Sequence, residues 1–255
     1  MADIEITLSA VEYLNTKPFI EGLKIYPLNS QITIIEDTPA ECSEKLKNGR
    51  ADIGIVPVAD FPLLNGFRKI TQWGIAADGA VDSVLLGSNQ PVEGLDSILL
   101  DYQSRTSNKL MRILAEEYFQ INPDFILAHP GYEEKALGAG EGAVIIGDRA
   151  LKFRNRYAYQ YDLGHYWKEL TGLPFVFAIW VANTKVNPEL EKELELALGA
   201  CMDSRSKVAD LYQKSYPRVD VYRYLTQSIR YKISEPYEQG LDLFLEKIQM
   251  LEGIY

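Results

Sequence analysis

The sequence predicts an α/β protein of two lobes, the second inserted into the first. Strand-like and helix-like segments alternate from the start of the chain. Between Ile70 and Ser88 the pattern changes to strands separated by glycines, and one long apolar strand, Phe175–Ala182, is placed to carry the chain back. Lobe one takes residues 1–88 plus 180–255 and lobe two residues 92–178, with hinges near 88–92 and 178–183. Two connections of this kind make a hinge, and the cleft between the lobes is the expected ligand site.

In chain order, Ile4 to Leu8 alternates apolar and polar positions and reads as a strand, Thr16 to Gly22 as a short helix, and the β-branched run Ile32–Ile35 as a second strand. Thr38-Pro39-Ala40-Glu41 is a capping box with proline at the first helical position, and its helix stops near Asn48-Gly49. Asp52–Pro57 is the next strand and Val58–Leu64 a short helix. Ile98–Leu100 opens the second α/β series. Its helix, Ser107 to about Phe119, carries Leu110, Ile113, Leu114 and Tyr118 on one face. Phe125–Leu127 is a strand, Glu133–Leu137 a short helix, and Ala143–Ile146 an apolar strand of the kind buried between helices. Asn187-Pro188 caps a helix running to about Tyr216, and Ser234-Glu235-Pro236 opens a last helix bearing Leu241, Phe244, Leu245 and Ile248.

Composition excludes several function classes. The chain has 255 residues, 47% of them hydrophobic, enough for a sizeable core. Its apolar runs fall far short of the roughly 20 residues a membrane helix needs, so no membrane partner is expected. No signal peptide is visible, so the expected location is the cytoplasm. A formal net charge of −10, spread along the chain, argues against a nucleic-acid partner. The tract Arg149–Arg156, with four basic residues in eight, reads as a solvated helix end. Cys42 and Cys201 are far apart and read as buried free thiols. His129 and His165 read as loop residues, too isolated for a metal site. No dinucleotide fingerprint, P-loop, nucleophile elbow or zinc-protease motif occurs, so neither metal nor other cofactor is expected.

Four segments place polar and glycine residues where strands end or begin. In Tyr13–Phe19, Asn15 and Thr16 serve either as helix caps or as ligand contacts. In Asp101–Ser107, the hydroxyls of Ser104, Thr106 and Ser107 converge with Arg105 on one helix N-terminus. That is either a capping run or a cradle for a carboxylate or phosphate. In Ile145–Leu151, Gly147 permits close backbone approach and Asp148 can cap the following helix. Val81–Leu86 puts the Ser83 hydroxyl just before a buried strand.

At these segments the sequence resembles the family of menaquinone-biosynthesis enzymes that contains the chorismate dehydratases of the futalosine route. Tyr13-Leu14-Asn15-Thr16-Lys17-Pro18-Phe19 is similar to its opening signature, and Asp52–Val58 to its second block. Ser83–Leu86, Ser104–Ser107, Ile146–Leu151 and Leu170–Ala178 resemble later blocks in the same order, over roughly residues 4–182. The resemblance implies a two-lobed fold like that of type II periplasmic binding proteins. It implies a hydro-lyase with chorismate as its small-molecule substrate, which loses water to give 3-enolpyruvylbenzoate. Asn15 and Ser83 are the expected catalytic residues, orienting the ring hydroxyl and enolpyruvyl group. Thr16, Ser104, Arg105, Thr106, Ser107, Gly147 and Asp148 are the expected substrate-binding residues. The matched blocks offer no obvious histidine or lysine base, so a carboxylate of the substrate itself is left to take the proton. Two alternatives stay open: a non-catalytic solute-binding or sensor protein, and the sister-branch enzyme that forms 1,4-dihydroxy-6-naphthoate. The sequence leaves monomer and homodimer undecided.

Overall fold

The computed structural model describes residues 5–26, 28, 31–251 and 253; Ile4, the expected first residue of the first strand, lies outside them. Among the described residues the strands are β1 Ile6–Val11, β2 Ile32–Asp37, β3 Ile53–Pro57, β4 Arg68–Ala77, β5 Val84–Ser88, β6 Ser97–Leu100, β7 Asp124–Leu127, β8 Glu141–Ile146, β9 Tyr159–Asp162, β10 Phe175–Ala182 and β11 Arg230–Lys232. They form two sheets, ordered β11-β4-β10-β3-β1-β2 and β7-β6-β8-β5-β9.

The chain divides into two compact units. The first holds the described residues up to Ala76 together with Val176–Ser234; the second holds Ala77–Phe175 and the described residues from Glu235 on. Both boundaries differ from the expected 1–88 plus 180–255 and 92–178. The first crossing comes earlier because β5 pairs with β8 and β9, which commits Val84–Ser88 to the second sheet. The chain crosses a third time at Ser234 because the last helix, Glu235–Leu251, packs in the second unit. There the Phe244 ring lies 4.8 Å from Phe175 and 5.9 Å from Trp167.

In the first unit, β1 runs parallel to β2 and β3, and β10 is antiparallel to β3. Phe19 is fully buried and meets Trp180 and Tyr231 edge-on. The capping box at Thr38 forms as expected, with Glu41 N–H on the Thr38 hydroxyl and the Glu41 carboxylate on Thr38 N–H. The helix expected from Asn187 to about Tyr216 is interrupted. Pro188–Gly199 is followed by a tight turn, Met202–Ser204, and then by Arg205–Gln213. Gly199 supplies the close approach that seats the first piece, since a Cβ there would stand 2.9 Å from the Trp73 ring.

Asp52, just ahead of β3, ties this unit together. It accepts from Thr7 N–H at 3.1 Å and Asn183 Nδ2 at 2.9 Å, and pairs with Lys185 at 3.0 Å. Burial pushes its carboxyl up, but those donors outweigh burial and leave it below its ordinary value. A carboxyl lowered on folding stabilises above its unfolded pKa, near pH 4, and that contribution is lost as pH falls through the folded value. Asp52→Asn should therefore destabilise at pH 7, and the gap from wild type should narrow toward pH 3 in urea unfolding. An equal gap at both pH values would show that the charge contributes nothing.

In the second unit, β6 is parallel to β7 and β8, and β5 is antiparallel to β8 and β9. The helix Arg105–Leu114 buries Leu110, Ile113 and Leu114 as its periodicity predicts, and continues through a wider turn, Ala115–Phe119, in which Tyr118 is exposed. The short helix expected at Glu133–Leu137 is only a single turn, Tyr132–Glu134. His165 belongs to a helix, Leu163–Thr171, rather than a loop. Among the described residues no helix is long and apolar enough to cross a membrane.

Candidate functional site

In the second sheet, β8 pairs Ala143 with Leu99 of parallel β6, and Ile146 with Val84 of antiparallel β5. The ends of β6 and β8 and the start of β5 therefore share one edge. That edge carries Ser83, the Asp101–Ser107 turn and Gly147. Carboxyl ends of parallel strands are where open α/β sheets bind ligands, because helix N-termini converge there.

Ser83 is 1% exposed, and its carbonyl accepts the Gly147 N–H at 2.8 Å. Gly147 has φ +58, a left-handed conformation that a side chain would disfavour, so the glycine of this block is required by the backbone. The expected cap by Asp148 does not occur. Ile146 takes the cap position without a side-chain hydrogen bond, because Gly147 already opens the helix Gly147–Phe153 and Asp148 lies inside its first turn.

Ser104 is the cap of Arg105–Leu114, accepting the Ser107 N–H at 3.0 Å. The other two hydroxyls of this turn, on Thr106 and Ser107, are not needed for that cap; both residues are nearly fully buried, and Arg105 is half-buried. Beneath the turn lies a network that sequence reading missed. Arg149 Nη2 stands 2.8 Å from Asp101 Oδ2 and 2.8 Å from Gln103 Oε1. Arg149 also pairs with Glu133 at 3.4 Å and lies over the Tyr102 ring at 4.9 Å. Tyr132 donates to Asp101 Oδ2 at 2.7 Å. Burial raises the Asp101 carboxyl above its ordinary value, against the pull of the Arg149 guanidinium.

The expected solvated tract is thus structural at three positions. Arg149 holds Asp101, Arg154 pairs with Asp82 at 2.9 Å, and Arg156 donates to the Glu133 and Glu134 carbonyls. The partners lie 16 to 72 residues away in sequence, so no local pattern shows them.

Asn15 and Thr16 belong to the first unit. Val11 of β1 pairs with Asp37 of β2, so the turn Leu14–Thr16 follows the carboxyl edge of the first sheet. Neither residue caps through its side chain: Thr16 is the backbone cap of Lys17–Ile25 with no side-chain capping bond, and its hydroxyl donates to Asn15 Oδ1 at 3.2 Å. Nearby, the buried Ser9 hydroxyl donates to Asp37 at 2.6 Å, and Lys45 pairs with the same carboxylate. The structure therefore joins Ser83 to Gly147 and Ser104 to Ser107, and places Asn15 with Thr16 on the other unit.

Both cysteines are free and buried, as expected. Burial pushes the Cys42 thiol up to about 12, so it stays protonated at neutral pH and is a poor nucleophile. Among the described residues no three His, Cys, Asp or Glu side chains are grouped to hold a metal ion.

The sequence profile of a family described as menaquinone biosynthesis matches residues 6–250. The chain belongs to this menaquinone-biosynthesis family. Its relatives include the chorismate dehydratase of Thermus thermophilus, 26% identical over 270 residues, with 91% of this chain and 96% of that protein covered. The chorismate dehydratase of Campylobacter jejuni is 27% identical over 252 residues, covering 94% and 96%. In fold, this menaquinone-biosynthesis family member is similar to a crystal structure from Archaeoglobus fulgidus, with TM-score 0.79 at 12% identity and 98% of each chain covered. It is also similar to a Candida albicans gene product with the generic periplasmic binding protein fold, with TM-score 0.69 at 8% identity, covering 99% and 91%. The fold is that of the periplasmic binding proteins, as the sequence resemblance implied.

Proposed function

We propose that this chain is a chorismate dehydratase, a carbon–oxygen lyase that acts in the cytoplasm and converts chorismate to 3-enolpyruvylbenzoate and water without a cofactor. The observation that supports it most is the shared edge of the second sheet. Ser83, Gly147 and the Ser104–Ser107 helix start come from three separate sequence blocks yet gather at one end of three neighbouring strands.

The chemistry needs little from the protein. The C3–H bonding pair becomes a ring π bond, and the C4–O bond breaks with its pair on the departing hydroxyl, to which the abstracted C3 proton is passed on so that it leaves as water. Aromatisation drives the step, so orientation and exclusion of water are the main tasks. The substrate's own carboxylate takes the C3 proton. Asn15 and Ser83 orient the ring hydroxyl and the enolpyruvyl group.

An acidic chain of net charge −10 repels a dianionic substrate at long range, so attraction has to be local. The start of Arg105–Leu114 provides it through the helix dipole and first-turn N–H groups. Arg149 neutralises Asp101 directly beneath that turn, which keeps a carboxylate there from repelling the ligand. Thr106→Ala and Ser107→Ala should accordingly raise KM more than they lower kcat in steady-state assays. A fall in kcat at unchanged KM would remove the anion-cradle role. The reading as a whole is tested by incubating the purified chain with chorismate and separating the products.

A further inference from the structure

The turn before Ser83 is held in a way that the helix-capping role of its anchor does not require. Asp162 ends β9, which pairs with β5 through Leu85. Its carboxylate caps the helix Leu163–Thr171, where Oδ1 accepts Gly164 N–H at 3.0 Å and His165 N–H at 3.1 Å. A cap needs one acceptor oxygen, and serine or asparagine serves as well. The second oxygen is spent on another segment: Oδ2 accepts Asp82 N–H at 2.7 Å and Val81 N–H at 3.0 Å, the latter shared with Oδ1 at 3.1 Å.

Those two N–H groups belong to a turn with no strand partner for them. Asp82 has φ +66, a left-handed conformation that is uncommon outside glycine and needs its surroundings to maintain it. Its carboxylate is itself tied to Arg154. Gly164 lets the two segments meet, since a Cβ there would lie 2.7 Å from the Gly79 carbonyl oxygen. Ser83 follows directly. Its carbonyl is fixed by Gly147, and its approach is fixed by Asp162.

We propose that Asp162 positions Ser83, using its second carboxylate oxygen to hold the Val81–Asp82 turn that presents the hydroxyl to substrate. The proposal rests on the reading of Ser83 as a substrate contact. Asp162 touches no substrate in it and acts through the turn alone.

The test is a double-mutant cycle on the full chain with chorismate as substrate. Asp162→Asn keeps the size of the side chain but turns one acceptor into a donor. Asp162→Ser keeps a good helix cap but cannot reach the turn. Each should lower kcat roughly tenfold with KM changed less, at unchanged circular dichroism. In the Ser83→Ala background the same substitutions should change kcat less than about threefold, because the group they position is gone. Equal losses in both backgrounds would overturn the proposal, as would full kcat in both Asp162 variants. Full kcat in Ser83→Ala alone would instead remove the Ser83 reading, and the positioning role with it. Should Asp162→Asn fail to fold, Asp162→Ser carries the cycle by itself.

Discussion

Asn15→Ala and Ser83→Ala should each lower kcat on chorismate by tenfold or more while the protein stays folded. Each side chain is assigned one hydrogen bond that tightens as the C4 hydroxyl departs, and about 1.4 kcal/mol of lost transition-state stabilisation is a factor of ten. The expectation rests on side chains that no helix cap uses, Asn15 being engaged only through its Oδ1 with the Thr16 hydroxyl. Asn15 makes no cap through its side chain, and Ser83 is held through its carbonyl. Asn15→Ala removes an amide from a half-buried turn at the edge of its sheet, so stability should change little. Full kcat in both variants, measured beside circular dichroism, would reduce these residues to packing groups.

Arg149→Met should destabilise the second unit by about 3 kcal/mol in urea unfolding. The Asp101 side chain is 0% exposed and that of Glu133 8%, and both face the guanidinium. Methionine fills much of the volume but leaves two buried carboxylates without a countercharge, and the loss of one partner from a buried pair is far more costly than the pair is worth intact. Arg149→Lys should fall between, since a single ammonium cannot reach Asp101, Gln103 and Glu133 together. A change under about 0.5 kcal/mol in Arg149→Met would mean that the tract is solvated, as its local composition alone suggests.

The contrast at Arg149 shows where the sequence could be read and where it could not. Local chemistry was legible. The capping box at Thr38, the cap at Asn187, the buried face of Arg105–Leu114 and the apolar strand β8 all stand where their patterns put them. Each of those signals lies within a few residues of the structure it specifies. Pairings made across the fold left no such trace. The strand β11 is three residues long with charges at two of them, and β9 is four residues at the sheet edge, so each is too short for its alternation to stand out. The last helix has an apolar stripe at Leu241, Phe244 and Ile248, which says that a face is buried but not against what; Trp167 and Phe175 decide its unit. The close approach at Gly199 is to Trp73, more than a hundred positions earlier.

The site followed the same rule. Ser83, Ser104 and Gly147 stand at strand ends and helix starts, the positions that their sequence blocks gave them. The groups that hold them could not be picked out. Asp101 and Asp162 are single carboxylates with no motif, and Asp82 is a left-handed residue that carries no glycine to announce it. Fixed partners on distant segments give these residues their roles.

The most direct test of the account is conversion of chorismate by the purified full chain, with and without a chelator, followed by chromatography. The account predicts 3-enolpyruvylbenzoate in both samples at the same rate, and formation slowed about a hundredfold or more when Asn15 and Ser83 are both alanine. Chorismate recovered unchanged at substrate concentrations that saturate binding would contradict it and leave a binding protein. Turnover lost to the chelator and restored by a divalent ion would contradict the cofactor-free mechanism.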